Sequence, residues 1–366
     1  MNRYQIRKVA LASMLVLAIF SCTRKKSEVP DPFPLHTAVR AQDTSLVSKM
    51  IKEGADVNKG DYREVTPLDI AAENGNEEIL KMLISAGAKV NTRQWSGETP
   101  LFSAAEYGHD DAVEDLIKAG GSIEQTDYFG STPLHAAVTN SAKDVVKTLI
   151  KHGANVNAVD FFGQTPLHIA AQEDQVPEIA LLAEAKANVD APRKITLDTP
   201  LHMAAYYGSN GATEMLIKYK ANVNAVDAVG RTPAHYAAMM GKDKVVSTLA
   251  EHKADINKGD LLGDTPLHLA AVANHKKAVL SLLQHGAKID AQNLKRETPL
   301  LKATRAKFVG MVELLMSYGA SPNLASENGD TPLKVAEKLK EKKLIHALTT
   351  PKKKQLFTPW HDVFGE

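Results

Sequence analysis

Histidine recurs at regular intervals along this chain of 366 residues, and there are enough of these histidines to form a metal site if their side chains came together. These imidazoles belong to His36, His135, His168, His202, His235 and His268. A zinc ion holds its ligand nitrogens at about 2.0–2.1 Å. Equivalent side chains on adjacent packed helices are roughly 8–10 Å apart, so no two of them can share one ion. We therefore predict a structural role for these histidines and no metal site.

Aspartates form a second regular set of chemically active side chains, at Asp61, Asp127, Asp160, Asp227 and Asp260. Calcium needs oxygen ligands at about 2.3–2.6 Å, and the same separation excludes a shared ion. Aspartate commonly accepts hydrogen bonds from the backbone N–H groups of its own turn. The sequence therefore predicts that these side chains stabilise turns.

No combination of residues in the sequence is typical of a catalytic centre. The chain has no glycine-rich phosphate loop, no His-Glu-x-x-His motif and no Gly-x-Ser-x-Gly motif. Its net charge is +1 and its repeats contain no concentrated basic run, which gives no electrostatic basis for binding nucleic acid. We expect no catalytic residue, no cofactor, no small-molecule substrate and no nucleic-acid partner.

The elements that hold these residues are marked by a repeating proline. It occurs at Pro34, Pro67, Pro100, Pro133, Pro166, Pro200, Pro233, Pro266, Pro299 and Pro332. The interval is 33 residues except for a single interval of 34. A constant period between about 20 and 50 residues is typical of stacked repeats that share one elongated core.

One repeat, from Thr132 to Asp160, shows how the units are built. Thr132 is a good N-cap, and Pro133 suits the first helical position, where a missing N–H costs nothing. The first helix is predicted to end near Ser141, and a second helix with an apolar stripe follows until Gly153. In other units the place of Ser141 is taken by Gly75, Gly108, Gly208 and Gly241. We therefore predict that each unit consists of a helix, a turn, a second helix and a projecting hairpin.

This pattern resembles the ankyrin repeat, whose hallmark Thr-Pro-Leu-His-x-Ala-Ala stands at residues 265–271. The likeness covers residues 33–348 and recurs ten times, with atypical first and last units. The resemblance implies an all-α repeat solenoid of about ten stacked units, each with two antiparallel helices and a β-hairpin finger. It further implies that the fingers and first helices form a concave protein-binding face. The repeated imidazole would tie each helix start to its neighbours.

The sequence departs from this pattern in the middle of the chain. Lysine replaces the glycine that ends the second helix at Lys186, Lys220 and Lys253, which predicts helix ends that are strained or differently shaped. The single extra residue falls where residues 191–198 replace the usual finger, so we expect this finger to have its own shape.

The N-terminus has the features of an export signal. Basic residues precede a run of largely apolar residues at 9–20, which as a helix would reach only about 18 Å against roughly 30 Å of bilayer hydrocarbon. Residues 19–22 resemble the bacterial lipobox, in which the cysteine is acylated after cleavage. We therefore expect a signal peptide at 1–21, lipidation at Cys22 and a tether through residue 32. Thr23 after the cysteine would favour the outer membrane.

The hairpin tips carry the strongest indication of a binding site. Six aromatic residues occupy four consecutive tips, at Tyr62, Trp95, Tyr128, Phe129, Phe161 and Phe162. A later tip is apolar without rings, at Leu261 and Leu262. Clustered exposed apolar groups usually mark an interaction site, and Trp and Tyr are favoured as hot spots. The alternative is that neighbouring tips bury this surface against one another.

A second, weaker candidate lies late in the first helices of two adjacent units, at Tyr206, Tyr207, Met239 and Met240. These positions could equally pack on the following turn, because methionine commonly fills gaps in a core.

The sequence thus predicts a non-catalytic scaffold, anchored by lipid in the bacterial cell envelope, that binds a partner protein through its concave face and fingertips. Residues 349–366 would form a C-terminal tail. Two alternatives stay open. The chain could be a cytosolic ankyrin adaptor with an unprocessed N-terminus, or a modulator of an envelope enzyme that acts through residues 191–198.

Overall fold

A computed structural model describes residues 31–350 of the chain. The predicted signal peptide, Cys22 and nearly all of the predicted C-terminal tail lie outside these residues. Twenty α-helices and no β-strand are present within 31–350. None of these helices is both long and apolar enough to cross a membrane.

The first helix of each pair begins at the repeating proline, directly after an N-cap residue. Thr99, for example, accepts a hydrogen bond through its hydroxyl from the Phe102 N–H, at 3.3 Å. Small side chains such as Ala104 and Ala105 are fully buried and let neighbouring helices approach closely. The first helices are α1 (Pro34–Arg40), α3 (Pro67–Asn74), α5 (Pro100–Tyr107), α7 (Pro133–Thr139), α9 (Pro166–Gln172), α11 (Pro200–Tyr207), α13 (Pro233–Met239), α15 (Pro266–Val272), α17 (Pro299–Arg305) and α19 (Pro332–Lys338).

The second helix of each pair buries one apolar stripe. Val145, Val146 and Leu149 in α8 recur at helical spacing and are fully buried, whereas the lysines of the same helix are exposed to solvent. The second helices are α2 (Thr44–Lys52), α4 (Glu77–Ser85), α6 (Asp110–Lys118), α8 (Lys143–Lys151), α10 (Val176–Glu184), α12 (Asn210–Lys218), α14 (Asp243–Glu251), α16 (Lys276–Gln284), α18 (Val309–Ser317) and α20 (Lys342–Thr349).

The main contacts between helices in the described chain run between neighbouring pairs. Each first helix contacts the first helix of the next pair, and each second helix contacts the next second helix. The buried apolar side chains of all pairs form one continuous cluster. No pair could bury its apolar side alone, so stability comes from the stacking of neighbours.

Side-chain amides join the loops of adjacent pairs. The Asn58 Oδ1 atom accepts a hydrogen bond from the Lys89 N–H at 2.7 Å, and its Nδ2 donates to the Gly87 carbonyl at 3.1 Å. Asn91 bonds Ser122 and Gly120 in the same way one unit later. These bonds satisfy loop backbone groups that the helices leave unpaired.

The helix ends occupied by lysine have the left-handed backbone predicted from their place in the repeat. Lys186, Lys220 and Lys253 have φ of 65°, 69° and 65°, close to the φ of 86° at Gly153 in the regular unit. A side chain in this region costs on the order of 1 kcal/mol, so these three ends are strained rather than reshaped.

Candidate protein-binding surface

Each second helix is joined to the next first helix by a tight turn that projects from the stack, and we call this segment the finger. Asp127 organises a typical finger, because its Oδ1 accepts hydrogen bonds from the N–H groups of Phe129 and Ser131, both at 2.8 Å. Asp160, Asp227 and Asp260 make the same pairs of bonds. The predicted role of these aspartates in bracing turns is confirmed.

The fingers close with turn geometry, and the described residues of this region form no β-ladder. The Asp127 N–H donates to the Ser131 carbonyl at 3.0 Å, and Gly130 between them has φ of 76°. The two tip residues, Tyr128 and Phe129, are thereby placed at the outermost point of the turn.

All six aromatic tip residues are exposed to solvent. Their exposed fractions run from 43% at Phe129 to 79% at Tyr62. We call this set the aromatic ridge, and its members are Tyr62, Trp95, Tyr128, Phe129, Phe161 and Phe162. So large a run of exposed rings is uncommon on a protein surface that meets only water.

The ridge is held together by its own backbone. The Phe161 N–H donates to the Phe129 carbonyl at 2.9 Å, and the Trp95 N–H donates to the Arg63 carbonyl at 3.0 Å. Gly130 allows this close approach, because a Cβ atom there would lie 2.7 Å from Cδ1 of Phe161. The tips therefore contact their neighbours through backbone groups, and five of the six aromatic residues still expose more than half of their surface.

Apolar tips continue beyond the ridge. Leu261 and Leu262 are exposed as the sequence suggested, and the Leu262 carbonyl accepts a hydrogen bond from the Leu294 N–H at 3.0 Å. Leu294 and Ile195 were not among the predicted binding residues, yet they are among the most exposed apolar residues described, at 73% and 86%. The 33-residue step from Leu261 would have found Leu294.

The repeated histidine closes the start of the first helix and joins it to the next unit. In His135, Nδ1 accepts from the Thr132 backbone N–H at 3.2 Å and lies 2.9 Å from the Thr132 Oγ1. Nε2 therefore carries the proton and donates to the Gln164 carbonyl, at 3.1 Å. Equivalent bonds from Nε2 reach the carbonyls of Asp198, Arg231, Asp264 and Glu297, donated by His168, His202, His235 and His268.

Burial keeps these imidazoles neutral. It lowers the pKa of His168 and of His268 to about 4, and it lowers the pKa of His135, His202 and His235 in the same direction. Within residues 31–350 no group of three or more metal-ligating side chains is arranged to hold a metal ion.

Asp69 occupies the histidine place in the second unit. Its Oδ2 accepts from the Thr66 backbone N–H at 2.8 Å and from the Thr66 hydroxyl at 2.6 Å, so it closes the helix start as histidine does elsewhere. Burial raises the pKa of this carboxyl to about 6. Asp69 was not among the residues predicted from the sequence, although its position three residues after Thr66, where other units have histidine, indicates this role.

The weaker candidate of the sequence lies at the ends of α11 and α13. Tyr206 contacts Tyr207 and Tyr236 edge-on, with ring centroids 5.1 Å and 6.0 Å apart. Tyr207 is exposed, while Tyr206, Met239 and Met240 are half-buried. The rings of Tyr206, Tyr207 and Tyr236 thus form one cluster across α11 and α13.

The finger at 191–198 has the distinct shape that its extra residue predicts. The Arg193 N–H donates to the Asp198 carbonyl across a turn one residue longer than the others, and Leu197 takes a left-handed φ of 57°. Arg193 stands where other fingers have the bracing aspartate, and its guanidinium bonds the Asp198 carboxylate at 2.7 Å.

Two of the hollows on the described surface border candidate positions or neighbouring second helices. One of about 500 Å³ lies between the second helices α2 and α4, where Ile51 and Met82 meet the stems of Lys52 and Lys81. The other, of about 300 Å³, lies between the fingers and the ends of α9 and α11, beside the longer finger. Only the second adjoins the ridge.

Helix pairs with Thr-Pro starts, capped by a buried imidazole and stacked into one core, define a repeat protein of the solenoid class. The family model for ankyrin repeats matches residues 10–94, 89–160, 158–227 and 201–293. The chain therefore belongs to the ankyrin-repeat family, as its sequence pattern predicted. The helix pairs continue beyond the last match, through α20. No curated protein matches this chain.

Proposed function

We propose that this chain is a non-catalytic scaffold of ten stacked ankyrin units that binds a partner protein through its fingers and the adjacent ends of its first helices. Ankyrin repeats in general serve protein binding. The observation that carries the proposal is the aromatic ridge, in which six rings on four consecutive fingers are exposed and fixed by backbone bonds.

Rigid display explains how such a surface would bind. The ridge is ordered before the partner arrives, so little conformational entropy is lost on binding. An aromatic side chain presents about 150–250 Å² of surface. Because Phe161 is 78% exposed, covering it would remove roughly 120 Å² or more from water, which corresponds to about 3 kcal/mol.

The test has two stages. A photo-crosslinking amino acid at Trp95 in intact cells identifies the partner, and the purified partner is then titrated against the wild type and against the Phe161→Ser, Phe162→Ser double variant. We expect affinity to fall by roughly 30-fold or more. The matched control is Leu46→Ser, which replaces an exposed apolar residue on the second helix α2.

Circular dichroism distinguishes the two roles of the tips. The double variant should keep its helical signal and melting temperature within a few degrees of the wild type. Loss of the fold would mean that the rings are packing residues, and unchanged affinity in a folded variant would remove the ridge from the binding site.

We further propose that the scaffold is displayed in the bacterial cell envelope, held by lipid on Cys22 and by a tether through residue 32. The support is the signal-like sequence at 1–21 and the position of the only cysteine directly after it. Mass spectrometry of the mature N-terminus tests this: an acylated Cys22 supports the anchor, and an intact Met1 supports a cytosolic adaptor. Cys22→Ser should release the protein from the membrane fraction.

A further inference from the structure

The fingers that follow the aromatic ridge differ from it in chemistry. Their exposed apolar residues are aliphatic and carry no rings. We call this set the aliphatic tips, and its members are Ile195, Leu197, Val229, Leu261, Leu262 and Leu294. Each of them is at least 42% exposed to solvent. Four consecutive fingers therefore present aliphatic surface to the surroundings.

Backbone hydrogen bonds fix these fingers to one another. The Ala228 N–H donates to the Thr196 carbonyl at 2.9 Å, and the Leu261 N–H donates to the Val229 carbonyl at 3.0 Å. The next pair of fingers has the same bond. Because packed neighbouring units are about 8–10 Å apart, the four fingers form an ordered line of roughly 24–30 Å.

The charged residues in these tips are basic. Lys194 directly precedes Ile195, and Lys295 and Arg296 directly follow Leu294. All three cations are exposed, and no described residue forms an ion pair with them. The tip residues, which are 194–197, 228–229, 261–262 and 294–296, include no acidic residue. Aliphatic and positively charged side chains therefore lie side by side on this part of the surface.

The acidic residues of the same turns are buried within the fold. Four of them form ion pairs, which are Asp198 with Arg193, Asp260 with Arg231, Asp264 with Lys302 and Glu297 with Arg305. Asp227 is also buried, and it braces its turn through the backbone bonds described above. Asp190, Asp255 and Asp290 lie before the turns and accept backbone N–H bonds. The finger after the aliphatic tips carries an exposed acid, Glu327, so the positive surface ends there.

This combination of side chains fits a lipid surface better than a protein. Hot spots of protein interfaces are rich in Trp, Tyr and Arg, whereas Leu and Val are under-represented in them. At a bilayer interface, aliphatic side chains enter the boundary of the acyl chains, and Lys and Arg stay among the head groups. Basic residues near the surface also attract anionic lipids. The exposed charge of the tips is therefore complementary to an anionic bilayer.

We propose that the aliphatic tips and the cations beside them dock on the surface of an anionic lipid bilayer. Leu261, Leu262 and Leu294 enter the interface, and Lys295 and Arg296 bind lipid phosphate groups. This contact goes beyond the proposed function, because it concerns other fingers than those of the ridge and a lipid surface in place of a protein. It does not depend on a lipid at the N-terminus.

Fluorescence quenching by lipids with brominated acyl chains tests this contact, because bromine quenches an indole ring only at close range. Both tryptophans of the chain, Trp95 and Trp360, are replaced by phenylalanine in the full-length protein, and Leu294→Trp supplies the reporter. The vesicles contain phosphatidylcholine and phosphatidylglycerol in a ratio of about 7:3. We expect the reporter to lose about half of its fluorescence or more.

The matched control reporter is Leu46→Trp in the same background, on the second helix α2. It should lose at most about half as much fluorescence as the Leu294→Trp reporter. Any attachment through the N-terminus is common to both proteins, so it does not produce this difference.

Charge reversal tests the role of the cations. Adding Lys295→Glu and Arg296→Glu should lower the quenching of the Leu294→Trp reporter at least about twofold, and so should vesicles of phosphatidylcholine alone or salt at about 0.5 M. Lys143→Glu with Lys147→Glu makes the same change in net charge at exposed positions of α8 and should leave the quenching unchanged. Circular dichroism confirms that each variant is folded.

The outcomes separate this inference from the proposed function. The lipid contact is wrong if Leu294→Trp is quenched no more than Leu46→Trp, or if lipid charge and charge reversal have no effect. If Leu294→Ser instead weakens binding of the purified partner, the aliphatic tips belong to the protein-binding surface. Strong quenching of Trp95 in the Trp360→Phe protein would place the ridge on the bilayer. That result would remove the support for protein binding by the ridge and leave the lipid contact standing.

Discussion

Acidification should weaken the stack through its buried histidines, and His168 allows the effect to be calculated. Burial lowers its pKa in the folded chain to about 4, against 6.5 in the unfolded chain. The unfolded state therefore binds the proton more readily, so the contribution of His168 is complete above pH 6.5 and is lost as the pH falls toward 4. Between pH 7.5 and pH 5.0 this amounts to about 2 kcal/mol of unfolding free energy.

Urea unfolding at the two pH values, followed by circular dichroism, measures this effect. The comparison is with His168→Gln, because glutamine can cap the same helix start and does not titrate. We expect the wild type to lose about 2 kcal/mol more than the variant on going to pH 5.0. The contribution of the other histidines is the same in both proteins and cancels in the difference.

Asp69 supplies a control of opposite sign in the same structural place. Its pKa is raised by burial to about 6 in the folded chain, against 3.8 in the unfolded chain. The folded state therefore binds the proton more readily, and acidification to pH 5.0 favours folding at this site by about 1 kcal/mol. Asp69→Asn should remove that gain. Equal pH dependence of wild type and His168→Gln, or a pH effect of the same sign at His168 and Asp69, would refute the reasoning from burial.

Two further substitutions test backbone features of the stack. Lys186→Gly should raise the unfolding free energy by roughly 0.5–1 kcal/mol, measured by urea unfolding, because glycine relieves the left-handed φ of 65°; a loss of stability would contradict the strain. Gly130→Ala should lower it by about 1–2 kcal/mol, because φ is 76° and the new Cβ would meet the ring of Phe161. If Gly130→Ala leaves the unfolding free energy unchanged in the same measurement, the two fingers do not pack as closely at Gly130 and Phe161 as the structure indicates.

The sequence predicted the helix pairs well because their signals are local. A Thr-Pro start, a short run of small apolar residues and a left-handed end lie within a few residues of one another, and their repetition removes chance agreement. The aromatic tips were visible for the same reason, since Phe161 and Phe162 follow the bracing Asp160 directly. The capping role of Asp69 could also be predicted from the repeat pattern, because Asp69 occupies the position that is histidine in other units. Its raised pKa could not be predicted in this way.

The hollow beside the longer finger could not be predicted in the same way. Its walls come from residues more than 40 positions apart, such as Phe162 and Tyr207. Arg193, which lines it, is paired with Asp198 across the longer turn, and that pairing is visible only in the folded chain. The sequence showed only that the finger at 191–198 is irregular.

Periodicity alone determined that this chain forms stacked helix pairs with fingers, because capping, helix length and turn chemistry act between residues close in sequence. Tertiary structure decided which side chains stay in contact with water and which charges meet. Those properties depend on how one unit packs on the next. The absence of a side chain at Gly130, for example, lets the Phe161 ring lie close to it, while 78% of Phe161 stays exposed to solvent. Contacts between residues far apart in sequence depend on the distances at which the units pack, and a local sequence pattern carries no information on those distances.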